Sequence, residues 1–418
     1  MKKTRWIILA LLSLIIMICI SVTAYGEEKG QSAWKLKKSI RLDSLLNISQ
    51  CAGMALSPDG ENIAYVNKKW RSLEIYSIKN ETTKEYTMPE TFKGPVAGKL
   101  AWSPSGKYIA FTENFFVYLN DPDIWVFNVE SGEFTDLTDD GGNYNLLKDA
   151  DQVQLDYLPI WGRDDVLYYF HAEKRQQSDG DTYSCELYRL IIGNQPELLF
   201  DLTAEMPGFS VCKSAVVSPD GNYLAIPHIG RNKNDPLNGI WILDLKNGNR
   251  AHIAAMKNLS GGLADWMVED SSINDLSGIA WTEDSKGVVT AFLNRKSFGR
   301  WQIFYYTDIK TGKTISLSDF HDIKSSSDFT VENEKSVMRE CFLAPDGVTL
   351  IYLQHDYQTG KIQAFSLLLA SNKNRPEIAG ETEYSPWMPG DEEYISHVAK
   401  NGVALSYRYM QLFIFSRE

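Results

Sequence analysis

One short pattern recurs along this chain and constrains its fold more than anything else. An apolar strand, a turn spelled Ser-Pro-Asp-Gly or close to it, and a second apolar strand appear as Met54-Ala-Leu-Ser-Pro-Asp-Gly60 with Ile63-Ala-Tyr-Val66, and as Leu100-Ala-Trp-Ser-Pro-Ser-Gly106 with Tyr108-Ile-Ala-Phe111. The unit returns at Ala215-Val-Val-Ser-Pro-Asp-Gly221, Ile279-Ala-Trp-Thr-Glu-Asp-Ser285 and Phe342-Leu-Ala-Pro-Asp-Gly347, with degenerate copies at Pro159-Ile-Trp-Gly-Arg-Asp164 and Pro386-Trp-Met-Pro-Gly390, seven in all. Proline presets φ at the first central turn position, Asp caps its own turn, and Gly accepts the left-handed exit, so each copy opens with a tight hairpin.

Each hairpin is followed by a third strand with an aromatic residue at one register: Tyr76, Trp125, Tyr188, Trp241, Phe304, Phe365 and Phe413. Six of these strands continue through a Gly/Asn turn into a fourth, whereas the seventh meets the chain end. The segment Trp34-Lys-Leu-Lys-Lys-Ser-Ile-Arg-Leu42 is otherwise orphaned and supplies the missing strand. Repeats of this length stack as blades, and closing the ring removes the two strand edges that an open one would expose. The expected fold is all-β: a seven-bladed β-propeller of four-stranded antiparallel blades, closed by pairing the N-terminal strand with the C-terminal blade. A six-bladed ring with an irregular tail is the alternative. Residues 27–418 then form a single domain.

The hairpin turns, together with Asp123-Ile-Trp-Val-Phe-Asn-Val-Glu-Ser-Gly-Glu-Phe-Thr-Asp-Leu-Thr-Asp139, resemble the WD-like repeat of TolB-type β-propellers over about residues 50–418. The resemblance implies the fold. It implies little about activity, because the matching residues are turn and packing residues. The chain departs from TolB itself, which carries a mixed α/β domain ahead of its propeller, whereas only residues 27–50 lie between leader and first unit here.

Residues 1–26 read as targeting. Lys2, Lys3 and Arg5 precede an uncharged run from Trp6 to Val22, and small residues follow before Glu27. This is the layout of a bacterial export signal, and the run is also long enough at the limit to remain as a membrane anchor. Either outcome places the body outside the cytoplasm, secreted or associated with the cell envelope. Cys19 lacks the small preceding residue that a lipid-attachment signal needs. The other cysteines, Cys51, Cys185, Cys212 and Cys341, are too scattered for a disulfide framework and form no CxxC pair, so they read as buried small hydrophobes.

With 42 Lys+Arg against 54 Asp+Glu, a formal net charge of −12 and no basic block, nucleic acid and anionic membrane surfaces are poor candidates for the main partner. Catalytic signatures are absent from the sequence: no Gly-x-Ser-x-Gly elbow, P-loop, Rossmann fingerprint, His-Glu-x-x-His or EF-hand loop occurs. No catalytic residue, metal ligand set or cofactor is therefore assigned. The polar residues that recur lie three positions beyond the central residue of the second strands: Asn67, Glu113, His171, His228 and Gln354. They fall where the second strand leaves the sheet and are expected to crowd one mouth of the ring, with Glu113, His171 and His228 as hydrogen-bonding or acid–base groups. Polar strand ends that simply meet water would give the same pattern. Equivalent positions in adjacent blades are expected to lie ~10 Å apart, too far for bonds of ~2 Å to one metal ion.

Because the third-strand aromatics recur in every unit, they read as inter-blade packing, and function is expected where the units differ. The irregular inserts are Thr138 to Asp156, Lys174 to Thr182, Arg231 to Asn238, His252 to Asp275 and Asp319 to Lys335. The fourth carries Trp266, which could anchor a ligand or tuck back onto its own blade. The expected function is non-catalytic binding of a protein or an envelope glycan. The alternative is a propeller enzyme acting on polysaccharide or peptide, a polysaccharide lyase or hydrolase; propellers of similar repeat type include oligogalacturonate lyases with a clustered His metal site.

Overall fold

The computed structural model describes residues 34–42, 51–67, 71–92, 96–113, 122–139, 154–177, 180–204, 214–228, 239–255, 273–294, 301–316, 340–356, 361–369, 377–383, 395–406 and 410–417. They form seven antiparallel blades set in a ring, a seven-bladed β-propeller, which excludes the six-bladed alternative. Within a blade the strands, lettered A to D from the axis outward, pair in sequence order. Blade one is Cys51–Leu56, Asn62–Asn67, Ser72–Ser77 and Thr82–Thr87; blade two is Val96–Trp102, Tyr108–Glu113, Ile124–Asn128 and Glu133–Asp136. In blade seven, strand B is Val403–Ser406, strand C is Gln411–Arg417, and the outer strand is Trp34–Arg41 from the other end of the chain.

The two chain ends run antiparallel in register from Trp34↔Arg417 to Arg41↔Gln411, with one bulge between Leu36 and Lys38. Trp34 is buried against Phe342, Phe413 and Phe415, and its indole Nε1 donates to Asp346 at 2.8 Å, so the closing strand is fixed to the hairpin turn of blade six as well. A second apolar cluster joins Leu405 and Leu412 of blade seven to Met54, Ile63 and Tyr65 of blade one. The turns meet there too, where Asn401 donates its side-chain amide to the Gly60 carbonyl at 3.1 Å.

The sequence places the seventh hairpin at Pro386–Gly390, and the structure corrects this. Its turn is Ala399-Lys-Asn-Gly402, closed by the Gly402 N–H on the Ala399 carbonyl at 2.7 Å, the bond that Gly60 makes to Ser57 at 2.8 Å in blade one. Residues 386–390 lie outside the described residues. Blade three turns at Gly162 to Val166 as expected, with Asp164 and Asp165 at φ 58° and 56° in place of glycine. Asp and Asn tolerate this region better than other non-glycine residues. The remaining turn without glycine uses Ser285 at φ 55°.

The seams between blades are apolar. Ile109, Phe111 and Trp125 of blade two pack on Val66, Leu73 and Ile75 of blade one, and Leu224 and Ile226 of blade four pack on Tyr168 and Phe170 of blade three. Of the third-strand aromatics, Tyr76, Trp125 and Phe413 are buried, consistent with a packing role. Cys185 and Cys341 are buried, free thiols. Among the described residues no helix is long and apolar enough to cross a membrane.

Candidate functional site

Strand direction alternates within each blade. The A–B and C–D hairpins therefore lie at one end of the ring, and the B–C and D–A connections leave from the other. All five irregular inserts belong to the second set, so the variable segments depart from the same end as the strand B termini. The ladder registers confirm that Asn67, Glu113, His171, His228 and Gln354 are equivalent. Counting from the residue that faces the last strand A position, Ile63, Ile109, Leu167, Leu224 and Leu350, each lies four residues on. The blade-five equivalent, Phe292, breaks the polar pattern. His397 ends Ile395–His397, which precedes strand B of blade seven and pairs in parallel with the inner strand of blade six, Glu340–Leu343, so it lies away from the strand B ends. Trp266 lies outside the described residues.

Among the described residues, blade three carries the most developed constellation, on Gln154–Trp161, Leu167–Gln177 and Glu186–Leu190. His171 faces Asp156 on one neighbouring strand and Glu186 on the other. Its Nδ1 lies 2.9 Å from Asp156 Oδ1, and because a carboxylate only accepts, that nitrogen carries the proton and Nε2 is left to exchange one. The ring stands edge-on to Tyr188 at 5.7 Å, and the Tyr188 hydroxyl donates to Glu186 at 3.3 Å. Burial pushes the imidazole toward its neutral form, but the bond to Asp156 and the charges of Asp156, Glu186 and Glu173 outweigh it and raise the pKa above its ordinary value.

Beyond His171 the strand continues to Gln177 and pairs back with Gly180–Tyr183, so the insert at 174–182 is a regular hairpin extension carried past the mouth. Across the seam, Asp136 closes strand D of blade two. Burial pushes its carboxyl up to about 6, with the Asp139 and Asp156 charges adding to the rise and the Thr138 and Asp139 amides opposing it. Glu113, at the end of strand B, is 3% exposed. Asp156, Glu186 and Asp136 were not among the residues singled out from sequence. For His228 the structure fixes only the strand position, opposite Gly239.

Two groups of this cluster titrate in the same direction. A carboxylate whose folded pKa is raised from 3.8 to about 6 makes stability fall as pH climbs through that interval, and His171 adds stability that is lost as pH rises through its raised value. Asp136→Asn is expected to leave the thermal midpoint unchanged near pH 4 and to raise stability by about 1 kcal/mol at pH 8, after solvent screening of a half-buried group. Thermal unfolding of both proteins at the two pH values checks it; an equal change at both would show that the carboxyl does not titrate in this window.

Among the described residues, no three His, Cys, Asp or Glu side chains are grouped to hold a metal ion. No protein-family model matches the chain, and no curated protein matches it. Solved structures do. An oligogalacturonate lyase in complex with manganese is similar over 92% of this chain and 97% of that one, with a TM-score of 0.53 at 10% identity. The oligogalacturonate lyase from Vibrio parahaemolyticus is similar over 92% and 98%, with a TM-score of 0.51 at 11% identity. The β-propeller domain of the Trilobed protease from Pyrococcus furiosus covers 79% of this chain and 81% of its own, with a TM-score of 0.42 at 13% identity. At such identities the likeness is one of fold.

Proposed function

We propose that this chain is an exported, TolB-like propeller that binds a protein or glycan partner of the cell envelope without catalysing a reaction. Binding would use the end of the ring where the B–C and D–A connections leave, centred on blades two to four. The observation that carries the reading is what gathers at that end: the recurring polar strand B termini, the His171 network and the hairpin extension beside it. At the opposite end, turn carboxylates are held within their own hairpins, as where Asp220 and Asp284 accept from Ser218 and Thr282. Protein–partner contacts gather on loops that a rigid frame holds in place. Export follows from the leader, and mass spectrometry of the mature chain reads whether it is removed.

Photo-crosslinking residues placed in intact cells test the face. Substitution at Asn67 and Gln354 is expected to give partner adducts, and substitution at Asp220 and Lys246, at the hairpin end, is not. Adducts from the hairpin end alone would overturn the assignment.

The Asp156–His171 pair favours a second reading, an acid–base enzyme acting on polysaccharide or peptide outside the cytoplasm. Asp156 would orient the ring and Nε2 would move a proton. Cleavage of envelope polysaccharide or peptide by the purified chain, lost in His171→Ala, would replace the binding reading with this one.

A further inference from the structure

Trp102, Trp161 and Trp281 end the A strands of blades two, three and five, and each indole Nε1 donates to a strand A carbonyl of the preceding blade: Ala55 at 3.2 Å, Ala101 at 2.8 Å and Val216 at 2.8 Å. Two of these indoles also lie against the tyrosine that opens strand B of the preceding blade. Tyr108 stacks on Trp161 at 6.0 Å and 20°, and Tyr223 on Trp281 at 6.3 Å and 28°. The third seam lacks the ring. Its equivalent residue is Asn62, held by the same turn bonds: the Ser57 N–H donates to the Asn62 carbonyl at 2.9 Å, as Ser103 does to Tyr108 at 2.8 Å and Ser218 to Tyr223 at 2.8 Å.

No aromatic ring among the described residues lies against Trp102, and a groove of about 460 Å³ opens at this seam between Asn62, Ser77, Thr83, Tyr86 and Trp102. Its walls are rigid. The indole is fixed by its bond to Ala55, and Tyr86 stands edge-on to Phe127 at 4.6 Å with the Lys84 ammonium 4.7 Å from its ring centroid.

We propose that this groove is a binding site for a neutral, β-linked oligosaccharide, with one pyranose ring taking the place on Trp102 that a tyrosine takes in the other two seams. A β-linked pyranose presents a flat C–H face with its hydroxyls at the rim. That matches an indole face bordered by the Asn62 amide and the Ser77 and Thr83 hydroxyls, which donate and accept. A wholly apolar ligand would stack equally well but would leave those groups without partners, at a cost in affinity. The lining carries one charge of each sign, Asp59 and Lys84, so it selects for neither anionic nor cationic sugars. The volume lies within the range of small-ligand sites, and side chains already immobilised lose little freedom on binding. The groove sits at the hairpin end of the ring, away from His171, and is independent of the function proposed above.

The probes are cellotriose and chitotriose, titrated into the full chain by calorimetry and by Trp fluorescence. At least one is expected to bind in the millimolar range or tighter. Asn62→Tyr, which installs the ring found in the other seams, is expected to weaken binding at least tenfold and to raise or preserve the thermal midpoint. Ser77→Ala with Thr83→Val keeps the walls and is expected to weaken binding several-fold, which covers the case in which Asn62→Tyr fails to fold. His171→Ala is expected to bind as the parent does. Absence of binding by both sugars at millimolar concentration, parent-like binding by a folded Asn62→Tyr or by the Ser77/Thr83 variant, or loss of binding in a folded His171→Ala would each overturn the proposal.

Discussion

A chain that begins at residue 43 is expected to lose its cooperative folded state and to accumulate as aggregate. The deletion removes a whole strand, from Trp34↔Arg417 to Arg41↔Gln411, and leaves Gln411–Arg417 as an uncovered edge next to a core that has lost part of its cover. Trp34 is 7% exposed and Leu42 is fully buried. Burying two such side chains contributes about 1.5–3 kcal/mol each, before any of the ladder is counted, against a total stability of about 5–15 kcal/mol for a typical domain. The exposed edge is also a template for pairing with other chains. A synthetic peptide covering residues 34–42, added in excess during refolding, is expected to recover soluble protein by supplying the strand in trans. A truncated chain that stays monomeric and melts within a few degrees of the full one would show that the ends do not close the ring.

The second large effect separates two glycines of identical role. Gly106 and Gly347 occupy the same turn position in blades two and six, with φ of +75° and +66°. A Cβ on Gly106 would meet nothing within 4 Å, whereas one on Gly347 would fall 1.8 Å from Glu283 Cβ and 2.8 Å from its backbone nitrogen, in the turn of the preceding blade. Gly106→Ala is therefore expected to cost only the left-handed backbone penalty of about 1–2 kcal/mol. Gly347→Ala adds a collision that neither backbone can relieve without moving one blade against the next, for a total of about 4 kcal/mol or more. Denaturant unfolding of the two variants measures the difference; equal losses would mean that the turns of adjacent blades do not touch.

The blades were legible because their turns are spelled out. Six of the seven hairpins fall where Pro, Asp and Gly or their substitutes place them, and the closing strand at residues 34–42 follows from counting strands. The seventh hairpin was misplaced because Pro386 and Gly390 imitate turn chemistry, while the real turn, Ala399-Lys-Asn-Gly402, has no proline.

The site was half legible. Register counting from the turns identifies His171 and its equivalents, since strand B is regular from the hairpin outward. The partner Asp156 was hidden by a bulge. Trp161 faces Leu167 and Ile160 faces Tyr168, so an unbroken ladder would set Tyr157 opposite His171. A register shift between Tyr157 and Ile160, with Leu158 at φ 55°, slips the pairing by one residue and brings the carboxylate across instead. Nothing local in the sequence marks that shift. The open face of Trp102 was hidden differently: it depends on Asn62 standing where Tyr108 and Tyr223 stand in other blades, which shows only once the seams are superimposed.

The closed ring is tested most directly by hydrogen exchange in the intact chain, read at residues 34–41 and 411–417. Mutual pairing predicts that amides of both segments bonded across their ladder exchange slowly and become labile together, in one cooperative step. Residues 34–41 exchanging at the rate of a free peptide while the blades stay protected would contradict the account.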